Sequence, residues 1–166
     1  MTLSKFERRL LANQYHILSL LDQSNADHYG KMREALERGY ESAYEDEVFG
    51  RMLDVLPRNE STLVIDAMAM YSAIQHSYAA LDDKTGIEEL RTEFPGFDGN
   101  HETAYMAYAR FVVEKEGQFR SLKPNSEDFN SHTPMLDQYR RMIDVWKLTG
   151  NRYELTRDDL SAILGA

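Results

Sequence analysis

The chain of 166 residues contains no cysteine. Disulfides, thiolate nucleophiles and Cys-type zinc sites are therefore excluded together. It also lacks a long apolar run. The most apolar stretch, Leu63 to Ile74, is broken by Asp66 and is too short to span a bilayer, which takes about 18 or more apolar residues. No apolar segment follows a basic start between Met1 and Arg9, so no signal peptide is expected. Basic clusters are scarce too. The net charge is -9, and the longest basic clusters are the pairs Arg8-Arg9 and Arg140-Arg141. Residues 1–83 hold 8 basic and 14 acidic side chains, and residues 84–166 hold 11 and 14. Neither half can supply the clustered cations that displace counterions from a nucleic-acid backbone. A soluble, cytoplasmic protein with no direct nucleic-acid contact and no membrane contact is expected.

The short catalytic motifs are missing as well. There is no phosphate-binding G-x-x-x-x-G-K-[ST], no dinucleotide-binding G-x-G-x-x-G, no H-E-x-x-H and no G-x-S-x-G. His101-Glu102 lacks a second histidine four residues on, and the Glu-x-x-His pair of di-iron bundles is absent. His16, His28, His76, His101 and His132 lie in five different segments. No cofactor and no metal site is expected, because ligands for these are normally clustered by spacing.

What is present is helical periodicity. Ser4 and Glu7 form a capping-box pattern, followed by Phe6, Leu10, Ile17 and Leu20 at three- and four-residue steps. This predicts a helix of about 17 residues. Asn25 can cap a second helix that Gly39 ends. Ser42 with Glu45 predicts another capped helix, running to Leu56 with Pro57 as its stop. Asn59 or Ser61 then starts a long apolar helix to Leu81, and a helix apolar on most sides belongs in a core. A turn of helix follows near Gly86 to Arg91. Pro95-Gly96 suits a type II turn, and Asp98 or Asn100 can cap the next helix, which ends at Gly117. Residues 118 to 132 read as the longest irregular segment, with Gly117 to Leu122 able to run extended. Thr133 as N-cap and Pro134 as first residue open a further helix to Thr149. Thr156 with Asp159 opens the last. The fold class is all-α: one domain over residues 1–166, with about seven to eight helices in orthogonal, bundle-like packing.

Several stretches, "LANQYHILSLLD", "ERGY", "VIDAMAMY", "FPGFDGNHETAYMAYARFVV" and "FNSHTPMLDQYRRMIDVW", resemble the YfbU-like family of uncharacterised bacterial proteins. The resemblance runs in order through nearly the whole chain. It implies an all-helical fold and a homo-oligomer, and carries over no catalytic residue. Some relatives resemble fusions with a small DNA-binding module, which implies a ligand-sensing or regulatory role. No such module is expected ahead of the helix that starts at Ser4.

Four residues are candidates for holding a ligand. Asp66 and Arg110 each interrupt an apolar helix, and a buried charge needs a partner. They can pair with each other and fix helix register; Glu114, four residues on, is a rival partner for Arg110. If a cavity separates them, Arg110 could grip a carboxylate or phosphate. Asn130 and His132 precede the helix opened at Thr133-Pro134. The free N–H groups there could hold a small acidic ligand, although capping chemistry alone accounts for the same residues. For an interface, Asn13 sits on the seam of Phe6, Leu10 and Ile17. A polar residue on such a seam can select a partner's register. The aromatics Tyr71, Tyr78, Tyr105, Tyr108 and Trp146 could line a pocket or fill the core. Three readings stay open: an oligomeric ligand-binding or regulatory module, a structural or interaction protein, and an enzyme of unrecognised type.

Overall fold

The computed structural model describes residues 2–50 and 52–166. Its described residues form seven α-helices and no strand, and they divide into two compact units, Met1–Val55 and Leu56–Ala166.

In the first unit, α1 (Lys5–Leu21) and α2 (Ala26–Arg38) make an αα-hairpin, and α3 (Glu41–Phe49) closes on α2. The capping box at Ser4 and Glu7 is formed as the sequence predicts, and α1 has 17 residues. Arg8 near the start of α1 donates to the Leu36 carbonyl near the end of α2, at 2.9 Å, which fixes the two helices antiparallel. Asp22 makes the turn: its carboxylate accepts from the Ser24 N–H, from the Ser24 hydroxyl and from the Asn25 amide. Asn25 therefore spends its side chain on Asp22 and does not cap α2. Gly39 ends α2 at φ +77, with the N–H groups of Gly39 and Tyr40 both donating to Ala35. The core of this unit is Ala12, Met32, Ala35, Leu36 and Tyr44, with Leu3, Leu11, Tyr15 and Val48 against it.

The helix expected from Ser42 to Leu56 is shorter. The turn at Gly39 delivers the chain directly into α3 with Tyr40 as N-cap, so Ser42 falls inside the helix and caps nothing. Arg51 lies outside the described residues, and residues 52 to 57 are not helical. Met52, Leu53 and Val55 are exposed there, so a continued helix would bury no face, and packing is what stabilises helices in proteins.

In the second unit, α4 (Arg58–Ala80) is the central helix, and α5 (Thr103–Glu114), α6 (Leu136–Leu148) and α7 (Arg157–Leu164) pack on it. Val64, Ala67, Met68, Met70, Tyr71, Ala73 and Ile74 are buried along α4. Pro57 precedes α4 as its N-cap instead of stopping a helix, and no side chain caps that end. A short 3-10 turn spans Glu89–Thr92.

The long loops are stitched rather than free. Phe94 and Phe97 pair as isolated parallel bridges with Pro124 and Asn130. The extended contact thus lies beyond Gly117 to Leu122, where residues 119–121 form a bend and turn and Gly117 and Phe119 take positive φ. Gln75 on α4 reaches out to both loops. Its amide nitrogen donates to the carbonyls of Thr92 and Lys123, and its oxygen accepts from the Lys123 N–H. Phe94, Phe97, Phe129, Tyr71 and Tyr139 then pack ring against ring. Tyr71 and Trp146 are buried, and Tyr78, Tyr105 and Tyr108 pack against the same core.

Gly96 is required at its place. Its φ is +87, and a Cβ there would lie 2.0 Å from the Phe129 carbonyl oxygen. Tyr139 donates to the Gly96 carbonyl at 2.6 Å.

Candidate functional site

Asp66 and Arg110 do not form the expected pair. Arg110 is on the outer face of α5, with its side chain 45% exposed, and its carboxylate partner is Glu114 at 3.7 Å. The residues around it in sequence are apolar, but the helix turns it away from Ala109 and Val112, which are the buried positions of α5. Asp66 is half-buried on α4. It lines a groove of about 590 Å³ with Arg58, Arg140, Asp144 and Lys147. Three cations and two carboxylates line that groove, and Arg140 is already held by Asp137 at 2.8 Å.

The start of α6 also differs from expectation. Met135 is the N-cap, not Thr133, and Pro134 stays outside the helix. The cap comes from a distant residue. Glu102, buried at the start of α5, accepts from the N–H of Met135 at 2.8 Å and of Leu136 at 3.0 Å through Oε1. Its Oε2 accepts from the Asp98 N–H at 3.1 Å. The helix N-terminus that invites an anion thus holds the protein's own carboxylate. Asp98 and Asn100 do not cap α5; Glu102 occupies its N-cap position. Asp98 instead accepts from Asn100 and binds His101 Nδ1 at 2.6 Å. The Asn100 N–H first, and His101 next, hold the Asp98 carboxyl below its usual range.

Asn130 is a structural brace. Its Oδ1 accepts from the Gly99 N–H at 3.1 Å and from the His132 N–H at 3.0 Å. His132 is exposed, and both it and Phe129 sit in the left-handed region, at φ 57 and 58. The four ligand candidates therefore do not converge.

The α1 candidates behave as a set. Phe6, Leu10, Asn13 and Ile17 are all exposed on one face, opposite the Leu11, Ala12 and Tyr15 face that packs within the unit. Leu20 and Leu21 extend the same exposed apolar surface.

The YfbU domain profile matches residues 1–166. The chain belongs to the YfbU family. It is also 40% identical to a UPF0304 protein of Methanocaldococcus jannaschii, over 99% of each chain. That relative is archaeal, so the kinship reaches beyond the bacterial proteins that the sequence resembles. Neither comparison names an activity.

Within this YfbU-family chain no helix among the described residues is long and apolar enough to cross a membrane. Among the same residues no three His, Asp or Glu side chains gather as a metal-binding group. The residue that sequence reasoning missed is Glu102. "NHETAY" was informative only as a failed metal motif. A carboxylate four residues after Asp98 signals a local turn, but its second partner lies at Met135, which no spacing reveals.

Proposed function

We propose that this protein works as a self-assembling interaction protein, with the outer face of α1 as its contact surface. The observation that carries this is the seam of Phe6, Leu10, Asn13, Ile17 and Leu20, which stays exposed, Phe6 by 71% and Leu20 by 63%. The steps of four, three, four and three residues are those of a coiled-coil seam. With Leu21, the surface offers on the order of 500 Å² of apolar area per copy. Two copies would bury about 1,000 Å², the lower end for a specific interface.

The seam is close to self-complementary about Asn13. Phe6 and Leu20 each lie seven residues from it. An antiparallel two-fold pair would set Asn13 against its copy and Phe6 near Leu20 of the other chain. An amide both donates and accepts, so two Asn side chains satisfy each other, and a two-fold axis brings identical residues together. The ligand-binding reading loses the start of α6 as its anchor, since Glu102 fills it.

Sedimentation analysis tests the reading. The native protein is expected at a multiple of 19.2 kDa. Leu10→Asp with Ile17→Asp is expected to give the monomer with an unchanged helical circular-dichroism spectrum, because both sites are exposed. A monomeric native protein, or a variant with native mass, would refute it.

A further inference from the structure

A second cavity, of about 280 Å³, opens inside the Leu56–Ala166 unit. Tyr71 of α4, Arg91 of the 3-10 turn, Ser131 and Thr133 of the long loop, and Gln138 and Met142 of α6 line it. Two features set it apart from a surface dent. The first is its charge: Arg91 is the one cation, and among the described residues no acidic side chain lines it, in a chain of net charge -9. The second is Tyr71, which is only 2% exposed. The only hydrogen-bond partner of its hydroxyl among the described residues is the Met142 thioether, 3.9 Å away, and thioether sulfur is a weak acceptor. A buried hydroxyl without a good partner costs stability. Both Tyr71 and Met142 line the cavity, so a bound oxygen could take that bond.

We propose that this cavity binds a small monocarboxylate carrying a second oxygen, with its carboxylate on Arg91 and its second oxygen on the Tyr71 hydroxyl. Arg91 gives one N–H to the Leu164 carbonyl, and a guanidinium has five to offer, so a carboxylate can still be gripped. Gln138 adds a neutral amide donor beside the anion, while the Ser131 and Thr133 hydroxyls give their single protons to each other's backbone carbonyls. The Met142 side and the Tyr71 ring suit an apolar stem. A volume of this size, filled at protein-like density, holds about ten non-hydrogen atoms. Burial pushes the Tyr71 ionisation up, so the hydroxyl keeps its proton and donates. One cation matches one carboxylate; a dianion would leave a charge unpaired in a half-enclosed site.

The site differs from the acidic-ligand site that Asn130 and His132 suggest in the sequence. It shares the same loop but uses Ser131 and Thr133, and its anchors come from α4 and the 3-10 turn.

Amide-resolved NMR titration of the native protein tests it, with 4-hydroxybenzoate and levulinate as probes and 4-hydroxybenzamide and levulinamide as neutral controls. Saturable shifts are expected for at least one acid below about 10 mM, at Tyr71, Ser131 and Gln138, and not for its amide. Tyr71→Phe removes only the hydroxyl, whose sole partner among the described residues is a sulfur, and should fold normally. It is expected to weaken the acid about tenfold. Arg91→Met is expected to abolish binding, and Tyr71→Phe stands as the test if that variant unfolds. No saturable shift with either acid, equal shifts with acid and amide, shifts elsewhere in the protein, or unchanged affinity in Tyr71→Phe would each overturn the proposal. Saturation by inorganic phosphate alone would overturn the carboxylate assignment.

Discussion

Removing the Glu102 carboxylate is the sharpest test of how the second unit is held together. Glu102 is 4% exposed and accepts three backbone N–H groups, from Asp98, Met135 and Leu136. It therefore caps α6 from α5 and ties the Phe94–Gly99 turn to both. Glu102→Ala strands three donors, two of them on buried residues. Each stranded donor costs about 1–3 kcal/mol, less whatever water recovers. The expected loss is about 3–5 kcal/mol, within the range for breaking a buried charged network. With a denaturant slope near 2 kcal/mol/M, the urea midpoint should fall by about 2 M. Glu102→Gln separates capping from mere size. Its oxygen can still serve Met135 and Leu136, but its NH2 then faces the Asp98 N–H, donor against donor. Its loss should fall between those of the native protein and the alanine variant. The exposed Glu114→Ala is the control and should be near neutral. A Glu102→Ala midpoint equivalent to less than about 0.5 kcal/mol of change would show that this carboxylate does not hold the two helices.

Gly96→Ala puts a Cβ into the Phe129 carbonyl and forces a left-handed alanine; a loss of at least about 2 kcal/mol is expected by urea unfolding, and an unchanged midpoint would contradict the packed turn. Arg110→Ala should change stability by no more than about 0.5 kcal/mol, since Arg110 is exposed beside Glu114; a large loss would revive a buried role for it. Acid sensitivity should trace to Asp22 and Asp98. Hydrogen bonds, from Asn25 first, hold the Asp22 carboxyl at about 2 against an ordinary 3.8, and Asp98 is also lowered. Groups with depressed folded values contribute fully above the unfolded value and lose that contribution as pH falls through the folded one, here between about pH 4 and pH 2. Urea midpoints measured across that window should flatten in Asp22→Asn, and an identical pH slope would exclude Asp22.

The local rules were readable in the chain itself. Ser4 with Glu7 and Thr156 with Asp159 each form the reciprocal cap their spacing predicts, because both partners lie within one turn. Gly39 and Gly96 adopt the positive φ expected of them for the same local reason. The all-helical class and the outward seam of α1 follow from a period of 3.6, which counting can detect. What sequence could not decide was competition between local options and distant partners. Asn25 could cap a helix, but Asp22 takes its amide. Thr133-Pro134 could open α6, but Glu102 reaches the helix from 33 residues away and moves its start to Leu136. Arg110 looks buried among apolar neighbours, yet the orientation of α5 turns it outward. Tyr71, Arg91 and Ser131 become neighbours of one cavity only when three separate segments pack together. A cap or a turn is settled within a few residues, so sequence fixes it. A buried charge's partner or a cavity's wall is settled by long-range packing, and only the tertiary structure decides that.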